Sequence, residues 1–548
     1  MKPILFQVGP LWPSRATLTR RVIDGYHYGM RRLQAIGNRR LTLELCALCV
    51  AVCCFCSRPA ELCGDEINGL AAASAIERVF VDVIHRVEPS VVSVARVRPG
   101  PSLNLNLFET ELLRSRELDK PDSPDFVPNE FGTGIIVAPL AGSNERFVLT
   151  NYHLVHGGPA ASGNYKPVES QIYVRLNDRR GYHARIIAAD PRSDLAVLAI
   201  DYAALGMKPE EIKPIPLRTD ATPLQKGQLV LSLGNPYAIA RDGSPSVSWG
   251  MIGNISRRPA PARQRDLASL DAKTIHQYGT LLQVDTRLDL GTSGGALVNM
   301  RGQLVGITTS LAALEGYEKS VGFAIPIDAF SRRVIETLCR GYEVEYGFLG
   351  LTPLPIRADQ LRRPGNLKQV SAVHVEQVIP NSPAAFAGVE PNDVILQIEG
   401  HRLLDHYDLM RFVGTFAPDS TVHMTVWRPH EERELTLTAK LGKWPVKEDE
   451  AIIATAQRFP AWRGMTVEYP TGRNKYIGWP FQFKEAVLVT SVASHSPAQA
   501  AGVVDGDFIS SVGGTPVRTP TEFYEAVRRF DGDVSLELAD HRRVTVSK

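Results

Sequence analysis

Beyond its N-terminal segment the chain has almost no cysteine. Of seven, Cys46, Cys49, Cys53, Cys54, Cys56 and Cys63 crowd together near the start, and only Cys339 lies in the body. Residues after 64 therefore cannot form a disulfide among themselves, and a cysteine-rich zinc site there is excluded. Charge of one sign is lacking as well. With 61 basic and 59 acidic residues the net charge is +2, which gives no general electrostatic reason to expect nucleic acid as a partner. The apolar run at 41–56, broken by Thr42 and Glu44, is shorter than the roughly 20 residues of a membrane-spanning helix. It follows Arg31, Arg32, Arg39 and Arg40, the layout of an export signal, so 1–64 reads as an N-terminal extension. Cleavage of the signal and its retention as a membrane anchor both fit. Met30, directly before the first Arg pair, offers an alternative start, and a Cys46-x-x-Cys49 redox pair is a competing reading that lies inside the apolar run.

What is present is an ordinary globular composition, 44% hydrophobic and 22% charged over 548 residues, long enough for about three or four domains. The stretch Gly291-Thr292-Ser293-Gly294-Gly295-Ala296-Leu297-Val298 has the character of a catalytic serine turn. A serine hydroxyl needs a base beside it and N–H donors for the oxyanion, and flanking glycines let a substrate carbonyl approach the backbone closely. Ordinary turns favour the same residues, so the base and acid must be found elsewhere. His153 follows the apolar run at 147–149, and Asp194 precedes the one at 195–198. Each alone reads as structural. In the order His153, Asp194, Ser293 they compose a triad that acyl transfer can use. The nearby His153 and His156 lack the spacing and the adjacent Glu of a helical zinc motif, and no cofactor or metal is called for.

Apolar periodicity predicts a helix at 71–86, a strand at 91–97, and further strands at 134–137, 147–150, 171–175, 182–189, 195–200 and 229–233. Short strands between Gly, Pro, Asn and Asp turns, without long helices before residue 327, indicate a mainly β barrel or sandwich over 71–340. The polar, proline-containing stretch 99–129 reads as a long surface loop.

Several blocks carry a resemblance. They are Gly132-Thr133-Gly134-Ile135-Ile136-Val137, Leu149-Thr150-Asn151-Tyr152-His153-Leu154-Val155, Ser193-Asp194-Leu195-Ala196-Val197-Leu198, Leu233-Gly234-Asn235-Pro236, the serine turn through Asn299, and Val321-Gly322-Phe323-Ala324-Ile325-Pro326. In this order they resemble the HtrA/Deg family of trypsin-like serine proteases. The resemblance implies a chymotrypsin-like double β-barrel protease domain over 71–340, with the backbone N–H groups of Gly291 and Ser293 as oxyanion donors. It also places Leu288, Leu290, Ile307 and Thr308 around the specificity pocket. The aliphatic character of Leu288, Leu290 and Ile307 predicts cleavage after small or medium aliphatic residues, a preference worth about 10- to 200-fold per methylene. Thr292, Ala296 and Trp249 depart from the family pattern, which has Asn, Pro and small polar residues there.

The C-terminal third repeats itself. Ser382-Pro383-Ala384 recurs as Ser496-Pro497-Ala498, and Asp393-Val394-Ile395 as Asp507-Phe508-Ile509, both 114 residues apart. The copies resemble PDZ domains, at 345–442 and 462–548, joined by a charged linker at 443–461 that permits relative motion. Gly347, Phe348, Leu349 and Gly350 resemble the carboxylate-binding loop of the first copy, whereas the second offers only Trp462-Arg463-Gly464-Met465. The resemblance as a whole implies an exported, ATP-independent endopeptidase that degrades misfolded or unfolded envelope proteins, captures peptide C-termini, and assembles as a homotrimer or larger oligomer. The alternative is a catalytically idle PDZ-bearing chaperone or scaffold.

Overall fold

The computed structural model describes residues 69–97, 128, 130–140, 142–156, 171–220, 222–235, 243–258, 274–309, 322–356, 371–446, 451–476 and 484–548. The expectations for the export signal, the alternative start and nearly all of the 99–129 stretch lie outside them. The chain divides into two compact units, Met1–Arg78 and Val79–Lys548. The second unit holds every site residue expected from the sequence, and in it helix α1 (Gly69–Val87) ends by burying Val83 and Val87. Among the described residues no helix is long and apolar enough to cross a membrane.

Valine-rich segments with small residues at the turns form two sheets in the protease region. The first contains β1 (Val91–Val97), β2 (Glu130–Val137), β3 (Phe147–Asn151), β4 (Gln171–Arg175), β5 (Gly181–Ala184), β6 (Ile186–Asp190) and β7 (Leu195–Ala199). The second, β8 (Leu229–Gly234), β9 (Ser246–Arg257), β10 (Leu281–Val284), β11 (Ala296–Asn299), β12 (Leu304–Thr309) and β13 (Gly322–Pro326), closes into a barrel. Alternation is explicit in the long β9, where Val247, Trp249, Met251 and Ile255 all face outward. The two sheets share one core in which Leu149, Leu195, Leu233, Ala296 and Ile307 are fully buried. Register brings the site together: β3 pairs with β7 from Phe147↔Ala199 to Asn151↔Leu195. Asp194, just before Leu195, and the short helix following Asn151 are thereby forced to the same end of the sheet.

Helix α3 is preceded by the short α2 (Tyr152–His156) and spans Ala329–Cys339, with Asp328 capping it through Ser331 N–H at 2.9 Å. Two PDZ domains come next. The first has β14 (Gly347–Phe348), β15 (Leu351–Pro355), β16 (Val373–Val378), β17 (Val394–Ile398), β18 (His401–Arg402), helix α4 (His406–Thr415), β19 (Thr421–Arg428), β20 (Arg433–Lys440) and β21 (Gly442–Lys443). A two-residue strand, β22 (Ile453–Ala454), precedes the second. That domain has β23 (Met465–Glu468), β24 (Val487–Val492), β25 (Phe508–Val512), β26 (Thr515–Pro516), helix α5 (Pro520–Val527), β27 (Val534–Leu538) and β28 (Arg543–Val546). The repeat holds in register as well as sequence, since Val373 pairs with Ile395 and Val487 with Ile509.

The segment 443–461 departs from the expectation of a mobile linker. β22 pairs with β6 (Ile453↔Ala189, Ala454↔Ala188) and so becomes the edge of the first protease sheet, which has eight strands. Thr455 Oγ1 donates to Ile187 O at 2.8 Å, and Ala456 N–H to Gly341 O at 2.9 Å. At the start of this segment a charged side chain is buried. Lys443 is 1% exposed and its Nζ lies 2.7 Å from Glu343, 2.7 Å from Glu468 and 3.5 Å from Glu345. Arg473 completes the cluster, 2.7 Å from Glu343 and 3.2 Å from Glu468.

Candidate active site

Asp194 sits in the turn between β6 and β7 with φ 52°, a left-handed conformation uncommon for a residue with a side chain. Asp190 fixes that turn: its Oδ2 accepts from Ser193 N–H at 2.8 Å and from Ser193 Oγ at 2.6 Å, and also from the Tyr346 hydroxyl. Burial pushes the Asp190 carboxyl up despite these donors and the nearby Arg192 charge. Asp194 is 1% exposed. Its backbone carbonyl accepts from Tyr152 N–H at 2.9 Å and Asn151 Nδ2 at 3.0 Å.

His153, a quarter exposed, faces this carboxylate, with Nδ1 2.9 Å from Oδ1 and 3.0 Å from Oδ2. Its backbone N–H also donates to Oδ1 at 3.1 Å, and Thr309 Oγ1 donates to Oδ2 at 3.1 Å. A carboxylate can only accept, so Nδ1 carries the proton and Nε2 is left as the basic nitrogen. Burial opposes a charged imidazole, but the charge of Asp194 and its hydrogen bond outweigh that and raise the pKa above 6.5. Nε2 is buried and has no hydrogen-bond partner, so no Ser293–His153 bond is formed in this state.

Thr133 organises the serine turn. Its N–H donates to Ser293 O at 2.8 Å, its hydroxyl to Gly291 O at 2.8 Å, and its own carbonyl accepts from Thr150 Oγ1 at 2.7 Å. The turn is closed from the other side by Gly294 N–H to Thr308 O at 2.8 Å and Thr308 Oγ1 to Thr292 O at 2.5 Å. Gly294 has φ 81°, and a Cβ there would lie 2.0 Å from Thr133 O, so only glycine fits. Gly291, at φ 96°, would meet Asn235 O at 2.5 Å, and its N–H has no acceptor among the described residues. Thr292 turns its hydroxyl and its N–H onto Asp289 O, at 2.7 and 3.1 Å, and does not intrude between the two donors.

The four pocket candidates separate. Thr308 braces the turn, and Leu288 packs on the barrel core beside Val284 and against Gly322. Ile307 is fully buried in the shared core and Leu290 is 66% exposed. Successive strand residues point to opposite faces, and Ile307 takes the inner face that its neighbour Thr308 cannot. Sequence reasoning missed Thr133, Thr309 and Asp190 as supports. The signal for Thr133 was the Gly-Thr-Gly block; nothing in the sequence singled out Thr309. Among the described residues no cluster of three or more His, Cys, Asp or Glu could hold a metal.

The first PDZ domain presents an apolar groove between the loop Gly347–Leu351 and Leu409, Met410 and Val413 of α4, with Trp444 at its end. The carbonyls of Leu349 and Gly350 are drawn inward by Ala384 N–H at 2.8 Å and Ile379 N–H at 2.9 Å. Their own N–H groups have no acceptor among the described residues. In the second domain the equivalent helix residues, Phe523, Tyr524 and Val527, are all buried. Phe459 stacks on Tyr524 at 4.9 Å, Trp462 meets Phe523 edge-on at 5.7 Å, and Tyr524 Oη donates to Pro460 O at 2.8 Å. Trp462 and Met465 exchange backbone bonds of 2.8 and 3.0 Å around Arg463 and Gly464, which closes the corresponding loop on itself.

Comparison with known proteins agrees with this layout. Residues 132–307 match the family described as trypsin-like peptidase domain, and 347–439 and 488–540 each match a PDZ domain family. A probable periplasmic serine endoprotease DegP-like of Marinomonas sp. (strain MWYL1) is 26% identical over 499 residues, covering 87% of this chain and 95% of that protein. The like-named protein of Halomonas elongata is 28% identical over 411 residues, 75% of this chain and 76% of that protein. The periplasmic pH-dependent serine endoprotease DegQ of Escherichia coli (strain K12) is 26% identical over 473 residues, 86% and 91%. From the peptidase domain through both PDZ domains, then, the chain is a serine endopeptidase with a trypsin-like peptidase domain followed by two PDZ domains, similar over most of its length to endoproteases named DegP-like and DegQ.

Proposed function

We propose that His153, Asp194 and Ser293 are the catalytic triad of an exported protease that cleaves unfolded or misfolded proteins of the cell envelope. His153 Nε2 takes the Ser293 hydroxyl proton as the serine attacks the scissile carbonyl, then returns it to the leaving amine. Asp194 holds the Nδ1–H tautomer and stabilises the imidazolium. The N–H groups of Gly291 and Ser293 receive the oxyanion, and water hydrolyses the acyl-enzyme by the same base. The single observation that carries this reading is the His153–Asp194 pair at 2.9 and 3.0 Å with Nε2 left as an unpaired basic nitrogen.

The first PDZ groove supports capture of peptide C-termini: two outward N–H groups suit a carboxylate, and Leu409, Met410 and Val413 suit an apolar last side chain. The outward stripe of β9, with Trp249 64% exposed and Phe80 packed 5.8 Å from it, supports assembly of the protease domains into a homo-oligomer, since so large an apolar stripe is rarely left to solvent. Relatives named as periplasmic support the location.

A fluorophosphonate probe with casein turnover tests the triad. The full chain should be labelled and active, and Ser293→Ala should lose both while its unfolding transition stays unchanged. Activity retained in purified Ser293→Ala would overturn the assignment. The second reading, a catalytically idle binding protein, is favoured only by the missing Ser293–His153 bond; absence of labelling in the full chain would select it.

A further inference from the structure

Helix α2 has five residues and carries His153, yet a helix so short has no stability of its own. Its orientation must come from what grips it. Tyr152, its first residue, is gripped through both its backbone and its side chain. The backbone N–H donates to Asp194 O at 2.9 Å, and the phenol donates to Ala451 O at 2.9 Å, from the segment joining the two PDZ domains. The ring stacks on His156 at 4.9 Å, which ties the first and last residues of the helix together.

Ala451 is in turn fixed by the residues just after it. β22 pairs with Ala188 and Ala189 of β6, Thr455 bonds Ile187 O, and Ala456 bonds Gly341 O. β6 runs directly into Asp190, which sets the turn that ends in Asp194. One strap therefore touches both the element that carries His153 and the element that leads to Asp194.

We propose that Tyr152 is a positioning residue for the His153–Asp194 pair, and that the strap around β22 is what holds it in place. This rests on the triad reading above. The phenol-to-carbonyl bond contributes on the order of 1 kcal/mol, but its leverage is geometric, because a displacement of about 1 Å at a catalytic group costs about 100-fold in rate. Loss of the anchor loosens the imidazole from the carboxylate that supports its protonated form. Among the described residues, the titratable groups beside His153 are Asp194, from the β6–β7 turn, and Tyr152 and His156, on its own helix.

The test uses the full chain with Tyr152→Phe, which keeps the ring and removes only the donor; a strap variant carrying Ile453→Pro and Ala454→Pro; and the two combined. Thermal unfolding establishes that each folds. Tyr152→Phe should lower kcat about 10-fold with KM within about twofold, and move the acid limb of the kcat profile down toward pH 6.5. The strap variant should do the same, and the combination should be no worse than the poorer single variant. The imidazole titration of His153, followed by NMR, should show the same shift without reference to turnover. Unchanged kcat and titration in Tyr152→Phe, or effects that multiply in the combination, would overturn the proposal. If the intact chain proves inactive but Tyr152→Phe still shifts the His153 titration, the positioning role stands and the triad reading falls.

Discussion

The two PDZ domains share their scaffold and differ in their groove. Both end the loop before the equivalent strands β15 and β23 in a left-handed glycine, Gly350 at φ 80° and Gly464 at φ 86°. Each of these glycines would clash with the Ser-Pro turn, Ser382 or Ser496, if it had a Cβ. Both open their long helix with a polar cap, Asp405 or Thr519. Yet the first groove is lined by side chains that leave room, and the second is filled by the chain's own Phe459, Pro460 and Trp462. Positions that make the fold were repeated; positions that make a binding site were not. On the helix face Val413 recurs as Val527, but Leu409 and Met410 became Phe523 and Tyr524, larger rings that pack on Trp462 and Phe459.

A buried charge cluster joins the second domain to the first, and its removal is the largest expected effect. Lys443 belongs to the first domain and Glu468 to the second, and Lys443 Nζ neutralises Glu343, Glu345 and Glu468 while 1% exposed. Removing one partner of a buried charged cluster leaves the others uncompensated, so Lys443→Ala should cost about 3–5 kcal/mol in denaturant unfolding. A loss below about 1 kcal/mol would mean the cluster is solvated and the domains hinged. Burial opposes the Glu343 charge, but Lys443 and Arg473 outweigh it and hold its pKa down at about 2. Its stabilising part is therefore present above the ordinary carboxylate range and is lost as pH falls toward 2.

Next in size is peptide binding. An apolar C-terminal peptide should bind the full chain with one site, and Met410→Glu, which places a charge in the open groove, should weaken it about 100-fold. Two sites in calorimetry would break the comparison. Phe459→Ala comes third. It strips the ring stacked on Tyr524 and should destabilise the second domain by about 2 kcal/mol, while giving that domain a weak site for the same peptide. Equal stability and one site would show that Phe459 is not what closes the groove.

Why the plug escaped sequence reasoning is physical. The repeat was legible because its glycines, caps and alternating strands obey local rules, and the serine turn with His153 and Asp194 because each block sits at a strand end. Phe459 lies in a stretch whose Lys, Glu, Asp and Pro content reads as solvated connector, and Trp462 directly follows it. Only the third dimension shows that Lys443 is buried, that Ile453 and Ala454 extend a sheet begun more than 300 residues earlier, and that two aromatics cap a helix. Pairings between distant segments leave no periodic trace. The pocket candidates show the same limit of local reasoning: Ile307 and Thr308 are neighbours in sequence, yet alternation along β12 sends one into the core while the other braces the serine turn.

The smallest effect asks whether the two domains reach the catalytic turn equally. His153 has its pKa raised, because the charge and hydrogen bond of Asp194 overcome the burial that would lower it. The protonated form is thus favoured by folding; its contribution to stability is complete below pH 6.5 and is lost as pH rises through the folded value. Catalysis has the opposite need, since only the neutral imidazole can accept the serine proton. The acid limb of kcat/KM should therefore lie above pH 6.5. The first PDZ domain borders this turn directly: Arg192, two residues before Asp194, lies over the rings of Tyr346 at 5.6 Å and Trp444 at 4.8 Å. A cation–π contact of about 0.5 kcal/mol corresponds to at most about 0.4 pH unit at the histidine. Without peptide, Trp444→Leu should move the limb by no more than this, and Phe459→Ala, which touches no residue of the turn, should leave it in place. If both variants shift the limb equally, the two domains are coupled to His153 through a common element, and the strap around β22 is the one that contacts both the second domain's side of the chain and α2.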